Sequence, residues 1–328
     1  MVRACRLALA GAGAIAQSYI AAARTLPQAR LVAIADPRVE AAKAAAESAG
    51  CEAYARVEDL LDSAAPDGLI VCTPPSSHVE VAETALRSGV AVLCEKPLCL
   101  RAEDARKLRS LAAAREVVFT MASKFRYVDD MVRARAIASS GILGAPIRVE
   151  NVFTARIDMN GRWNAEPAIS GGGVIIDSGT HSADIIRYLI GPVVEVLAIE
   201  GWRIQPLEVE DSATLIMRTA AGPEAYVDLS WSHHRPVDAY VTMYGTGGTL
   251  CVGWSRSCYR RHEDRDWVEF GSGYDKHKAL VAQLRNFCAA VVGGEALLID
   301  IDEAVASVEV IEAAYESLRS GRPVAVAR

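Results

Sequence analysis

From Leu7 onward the chain repeats a short β-rich run followed by an alanine-rich helical pattern, and this rhythm leaves few folds open. The β-rich runs are 7–10, 31–35, 68–72, 90–94 and 117–121; the helical patterns are 14–25, 39–49, 77–87 and 102–114. Alanine with Arg, Lys and Glu favours helix, and short uniformly apolar strands are those buried on both faces. Strand and helix in alternation predict βαβ units, hence a parallel sheet with helices on both sides. That first domain is expected to end near Ala122.

A helix over 128–139, stopped at Gly141, precedes a change of pattern. The runs 147–155, 194–202, 212–218, 225–231, 239–244 and 249–252 alternate with period two and predict a large open, mostly antiparallel sheet. Helices over 276–292 and 302–320 close the chain, ended by Gly293-Gly294 and Gly321. At 328 residues the chain exceeds one ordinary core. Two domains are therefore expected: an α/β Rossmann dinucleotide-binding domain over 1–122 and an α+β domain for substrate and oligomerisation over 123–328, with the final helix free to pack back on the first.

A chain that is 51% hydrophobic with a net charge of -6 gives no basis for a nucleic-acid or anionic-membrane partner. The start, Met1-Val2-Arg3-Ala4-Cys5-Arg6, lacks the pattern of a secretion signal, and no window is apolar for the roughly 20 residues a span requires. A cytoplasmic protein is expected. Eight cysteines without a Cys-x-x-Cys pair predict free, reduced thiols. The adjacent His233-His234 points its two rings apart, so no metal is expected.

Gly11-Ala12-Gly13-Ala14-Ile15-Ala16 follows the first strand and opens a helix. Glycines there permit a tight turn and close approach of backbone to a pyrophosphate, whose charge meets the helix N-terminus. Asp36, at the end of the second strand, stands where a carboxylate would bind the adenosine ribose hydroxyls. A turn residue before Pro37 is the plainer reading of Asp36, but strand, turn and spacing together favour the ribose role. NAD is the expected cofactor, and Arg38 keeps NADP open as an alternative because it could meet a 2'-phosphate.

The run 68–72, the third strand that can be read, leads into Thr73-Pro74-Pro75-Ser76-Ser77-His78, and the next leads into Glu95-Lys96-Pro97. Both follow carboxyl ends of parallel strands, where ligands of doubly wound folds bind. Thr73, Pro74, Pro75, His78, Glu95 and Lys96 are cofactor-side candidates, with Ser77 expected to cap the next helix. Lys96 could also polarise a substrate oxygen.

Gly171-Gly172-Gly173 precedes Asp177 and His181, and the apolar spacing of Ile185, Ile186 and Leu189 before Gly191-Pro192 predicts a helix over 178–190. Four residues apart, the two titratable groups share a helix face if Asp177 belongs to the first turn. The positive end of the dipole would help keep the imidazole neutral, and a neutral imidazole can accept a proton. The alternative makes Asp177 a plain N-cap and His181 a buried neighbour.

Taken in order, Gly-x-Gly-x-x-Ala, Glu95-Lys96-Pro97, and Gly171-Gly172-Gly173-x-x-x-Asp177-x-Gly179-x-His181-x-x-Asp184 followed by Tyr188-Leu189-x-Gly191 resemble the Gfo/Idh/MocA oxidoreductases over nearly the whole chain. The resemblance implies that Lys96, Asp177 and His181 are the catalytic set. It also implies an open sheet that mediates oligomers, and a sugar or cyclitol substrate. Ser123-Lys124-Phe125-Arg126-Tyr127 departs from the family's usual Asn-Arg-Arg-Phe-like stretch, although Arg126 matches its common arginine. Arg126, Arg156 and Trp163 are candidate substrate contacts beside Lys96, Asp177 and His181, with Asp158, Arg162, Trp231 and His233 as weaker ones.

The expected function is an NAD-dependent dehydrogenase acting on a secondary alcohol of a sugar, cyclitol or sugar-containing metabolite such as an amino-sugar compound. An NAD-dependent glycoside hydrolase of the same fold is one alternative. A non-catalytic dinucleotide or sugar sensor is the other. A homodimer or homotetramer is expected, because one face of the second sheet has too few helices to cover it.

Overall fold

The structure is a computed structural model that describes residues 3–327, so the Met1-Val2 start read above lies outside it. The chain forms two units. The first comprises 3–124 and 276–305, the second 125–275 and 306–327.

In the first unit β1 (Cys5–Ala10), α1 (Ala14–Arg24), β2 (Ala29–Ala35), α2 (Val39–Ala49), β3 (Glu52–Tyr54), α3 (Val57–Ala64), β4 (Gly68–Val71), α4 (His78–Arg87), β5 (Ala91–Glu95), α5 (Ala102–Arg115) and β6 (Phe119–Ala122) alternate, and all but β3 and α3 follow the predicted rhythm. The six strands are parallel, in the order β3-β2-β1-β4-β5-β6. Strand order reverses at β1, which opens a crevice at the carboxyl ends of β1 and β4. β3 and α3 were not foreseen: Glu52-Ala53-Tyr54 is too short and too exposed to carry an apolar signal.

The grouping is not the single cut at 122 read from the sequence. Phe287, Leu280, Leu284 and Cys288 of the helix 276–293 are buried in one core with Leu7, Leu9, Tyr19 and Ile20. A Cβ on Gly68 would lie 2.8 Å from the Phe287 ring, so the ring packs directly on the sheet. The penultimate helix thus belongs to the first unit, while the last one starts there and continues into the second.

The second unit contains α6 (Asp129–Ser139), β7 (Pro146–Thr154), the short α7 (Pro167–Ser170), α8 (Val174–Ile190), β8 (Val193–Glu200), β9 (Ser212–Thr219), β10 (Glu224–Ser230), β11 (Ala239–Gly245), β12 (Gly248–Gly253), β13 (Ser257–Arg261) and β14 (Val268–Gly271). It is followed by α9 (Lys276–Gly293), α10 (Ile301–Ser320) and β15 (Val324–Ala325). Its nine strands run β14-β13-β12-β11-β7-β10-β9-β8-β15, antiparallel except for the pair of β7 and β10. β13 and β14 were missed because Ser257-Cys258-Tyr259-Arg260-Arg261 and the half-exposed Val268-Glu269-Phe270-Gly271 lack a clean apolar alternation.

Alternation along β9 and β10 turns Leu215, Val227 and Leu229 toward α8, whose Gly179 lies so close that a Cβ there would be 3.2 Å from Leu229 Cδ1. The opposite face carries half-buried or exposed Arg148, Glu150, Ile216, Arg218, Tyr226, Asp228 and Tyr244. Among the described residues no helix is long and apolar enough to cross a membrane.

Candidate functional site

The first unit holds the glycine-rich turn. Gly11 has φ +98, and a Cβ there would lie 2.8 Å from the Cys72 carbonyl oxygen, so the turn after β1 presses on the loop after β4. Gly13 differs. Nothing lies within 4 Å of where its Cβ would be, and as N-cap of α1 it offers no side-chain cap, leaving the first N–H groups of Ala14 and Ile15's turn open to an anion. Beside them the buried Thr73 hydroxyl has no hydrogen-bond partner among the described residues. Open space at Gly13, uncapped donors and an orphaned hydroxyl fit a dinucleotide pyrophosphate.

Asp36 is 5% exposed. Ala12 N–H donates to its Oδ2 at 2.9 Å, and Arg38 donates from its backbone N–H (2.9 Å) and Nε (3.1 Å) to Oδ1 and from Nη2 to Oδ2 (3.0 Å). Burial works against its charge but is outweighed by the Arg38 and Ala12 hydrogen bonds, which hold the carboxyl below its usual range. Four donors fill a carboxylate's acceptor sites. A ribose would therefore have to displace the Arg38 guanidinium, which is readily done because that side chain is 70% exposed.

At the next loops, Pro74 is exposed and Pro75 buried. Ser77 does not cap α4: its hydroxyl donates back to Pro74 O at 2.9 Å. His78 is wholly buried, with Nδ1 2.8 Å from Pro97 O and Nε2 2.8 Å from Thr73 O. It ties together the two loops that bear Thr73 and Lys96, and with both nitrogens so engaged it has none left for a cofactor. Burial lowers its pKa despite those carbonyls. Glu95 likewise turns inward, accepting from Tyr19 OH at 2.7 Å and from Lys96 N–H at 3.2 Å, while Gln283 Nε2 donates to the Tyr19 oxygen at 3.1 Å. Lys96 is half-buried at the carboxyl edge of β5.

In the second unit α8 begins at Val174, four residues before the predicted start, because its first donors find partners far away in sequence. Gly173 N–H donates to both Glu210 carboxylate oxygens at 3.1 Å and Ile175 N–H to Oε1 at 3.0 Å. Val174 N–H reaches the Glu210 carbonyl oxygen at 2.9 Å, and Ile176 N–H the Tyr315 hydroxyl at 3.2 Å. Tyr315 OH in turn donates to Glu210 Oε1 at 2.8 Å. This explains the glycines. A Cβ on Gly172 would be 1.9 Å from Tyr315 OH and one on Gly173 2.0 Å from Glu210 O.

Asp177 is consequently not the N-cap. It lies in the first turn, its N–H bonded to Gly173 O, with His181 one turn further on. The His181 imidazole is 7% exposed and meets the Phe125 ring edge to face at 4.9 Å and that of Phe153 at 6.5 Å. Phe125 stacks on Tyr274 (5.2 Å), and Phe153, Tyr240 and Trp254 continue the wall at 5.9 and 4.6 Å. These five rings escaped sequence reading, since nothing local links positions 125, 153, 240, 254 and 274.

Arg126 is not placed as a substrate ligand. It is 3% exposed, bonded through Nε to Asp184 Oδ1 at 2.8 Å, and lies over the Tyr188 ring at 5.1 Å. Trp231 is 3% exposed and packs in the core. Arg156, Asp158, Arg162, Trp163 and His233 are exposed, Asp158 folding back to accept from Asn160. The 157–159 stretch is fixed by Gln205, which donates to Ile157 O and accepts from Met159 N–H at 2.9 Å each. Asp211 in turn anchors Gln205, accepting from the N–H groups of Ile204 and Gln205 and from the Ser232 hydroxyl at 2.6 Å.

A doubly wound nucleotide-binding sheet joined to a large mixed sheet is the plan of a nicotinamide-dependent oxidoreductase. Residues 5–123 match the oxidoreductase family with an NAD-binding Rossmann fold, and 131–251 match the GFO/IDH/MocA C-terminal domain. The chain belongs to the Gfo/Idh/MocA oxidoreductase family. It is 26% identical to an inositol 2-dehydrogenase of Rhizobium meliloti (strain 1021), over 98% of this chain and 99% of that one. It is 28% identical to the rhizopine catabolism protein MocA of Rhizobium meliloti, over 95% of each. The crystal structure of GenD2 from gentamicin A biosynthesis, in complex with NAD, is 26% identical with a TM-score of 0.88, covering 100% of this chain and 98% of that one.

Proposed function

We propose that this protein is an NAD-dependent dehydrogenase that oxidises a secondary alcohol of a sugar, a cyclitol or a sugar-containing metabolite. The observation that carries the reading is the pairing, in one family chain, of a turn fitted to a dinucleotide pyrophosphate with Asp177 and His181 one turn apart on α8. NAD, when bound, would supply the acceptor for the hydride that leaves the carbinol carbon. Gly11 to Ile15, Thr73 and Asp36 are the residues that hold it. His181 takes the hydroxyl proton: buried against Phe125 and Phe153, its imidazole is shielded from bulk water and held in one orientation. Lys96 offers an ammonium to the oxygen as negative charge develops, a contact worth roughly 10²-fold to 10³-fold in rate. Asp177, on the same helix face, orients the substrate or the imidazole.

A panel of myo-inositol, scyllo-inositol, D-glucose, D-glucosamine and gentamicin A, followed at the NADH absorbance band with NAD and NADP in parallel, tests this reading. The last two compounds are included because one relative comes from gentamicin A biosynthesis. Net NADH formation is expected. His181→Asn and Lys96→Met should then lower kcat and kcat/KM together while leaving NAD affinity in place. Full turnover in both variants would sink the assignment.

The assembly proposed is a homodimer or homotetramer built on the sheet face away from α8, where Arg148 lies over the Tyr226 ring at 4.3 Å amid half-exposed strand residues. A monomeric mass by light scattering at micromolar concentration would count against it.

A further inference from the structure

A helix that needs only a stable start takes a serine or aspartate N-cap from its own sequence. α8 does otherwise. The N–H groups of Gly173, Val174, Ile175 and Ile176 are all satisfied by residues 210 and 315, from the approach to β9 and from α10. Glu210 is 5% exposed; burial pushes its carboxyl pKa up, but the N–H groups of Gly173 and Ile175 and the Tyr315 hydroxyl all donate to its carboxylate oxygens and favour the ionised form. The arrangement restricts Gly172 and Gly173 to glycine, since any Cβ would collide with the clamp. A local cap would have fixed hydrogen bonds alone. This one also fixes where the helix axis begins and how the helix is rotated on the sheet.

We propose that Glu210 and Tyr315 are positioning residues that set the aim of Asp177 and His181. The proposal rests on the catalytic reading of those two residues. His181 lies eight residues beyond Gly173, about 12 Å along the axis at ~1.5 Å per residue. A tilt of about 10° at the clamp would swing the imidazole by roughly 2 Å, and a misplacement of about 1 Å is enough to lose ~10²-fold in rate. The neighbouring Asp211 extends the same frame to the other side, anchoring Gln205 and through it the 157–159 stretch. Two adjacent carboxylates thus hold the base-bearing helix and the loop that starts at Arg156.

The test measures steady-state kinetics with the best alcohol of the panel above, NAD affinity by fluorescence, and folded fraction by far-ultraviolet circular dichroism at the assay temperature. Tyr315→Phe should lower kcat roughly 10-fold and Glu210→Ala roughly 100-fold, with KM and NAD affinity within about 2-fold of wild type. Glu210→Gln keeps an oxygen that accepts the helix N–H groups and should recover about 10-fold over Glu210→Ala. In a His181→Asn background Tyr315→Phe should cause no further loss, because no base remains to be aimed. Loss of rate that merely follows the unfolded fraction, or that multiplies in full in the His181→Asn background, would overturn the positioning role. Should Glu210→Ala not fold, Tyr315→Phe removes one oxygen only and carries the test. A damaging His181→Asn with a silent Tyr315→Phe sinks the positioning role alone, whereas a silent His181→Asn sinks the catalytic reading and this proposal with it.

Discussion

Arg126 and Asp184 form an ion pair at 2.8 Å with both side chains almost fully buried, 4% and 0% exposed. The pair ties the turn that bears Phe125 to the helix that bears His181, and the Phe125 and His181 rings are in contact.

Arg126→Ala should therefore act first on stability. Leaving Asp184 buried without its guanidinium costs about 3–5 kcal/mol, and replacing both residues by apolar ones of similar volume should recover most of the loss. Urea unfolding checks this. Unchanged stability with a raised KM would instead make Arg126 a substrate ligand.

Asp36 and Arg38 should trade cofactor preference in opposite senses. Asp36→Ala removes the ribose acceptor and a charge that repels phosphate, so the ratio of kcat/KM for NAD over NADP should fall at least ~10-fold. Arg38→Ala removes the group that occupies both Asp36 oxygens and should raise that ratio. An unchanged ratio in both variants would show that neither residue faces the ribose.

The two glycines of the turn should separate folding from binding. Gly11→Ala forces a Cβ to within 2.8 Å of a carbonyl oxygen at φ +98 and should lower the melting temperature of the cofactor-free protein. Gly13→Ala meets no protein atom, so it should melt like wild type and yet bind NAD more weakly. Calorimetry on the free protein and an NAD titration decide it. Wild-type affinity in Gly13→Ala would mean that the pyrophosphate lies elsewhere.

His78 should make stability depend on pH. Because burial depresses its folded-state pKa, an unfolded chain binds one more proton than the folded chain once pH drops below the ordinary histidine value near ~6.5. The sign follows. Stability rises with pH in that window and is lost on acidification, by up to about 1.4 kcal/mol per pH unit until the folded-state pKa is reached. Urea midpoints from pH 5.5 to 7.5 should show this slope in wild type and a shallower one in His78→Gln. Equal slopes would assign the effect to other groups.

Local signals carried most of this fold. α2 spans 39–49 as its alanine, lysine and glutamate pattern predicts, and most other expected strands and helices agree to within a residue or two. Where the cause was distant the sequence was silent. The start of α8 is decided by Glu210 and Tyr315, and the position of α9 by Phe287 on the first sheet, neither of which leaves a mark near the element it controls. The site divides in the same way. Gly11, Asp36, Lys96, Asp177 and His181 were legible because each sits at a fixed offset within a short motif. His78 and Arg126 were legible as notable residues, but their inward-facing partners, the Pro97 and Thr73 carbonyls and Asp184, were not. The aromatic wall beside His181 is assembled from five separate stretches of chain and had no linear signature.

The interrupted first unit also sets a timetable for synthesis. When residues 3–124 have left the ribosome, all six strands of the parallel sheet exist, but Leu280, Leu284 and Phe287 have yet to be translated. The surface of β1 and α1 that these side chains cover stays wet until the whole of 125–275 has emerged. The nascent nucleotide-binding unit is thus an open seam through most of elongation, a stage at which a holding chaperone has apolar surface to grip.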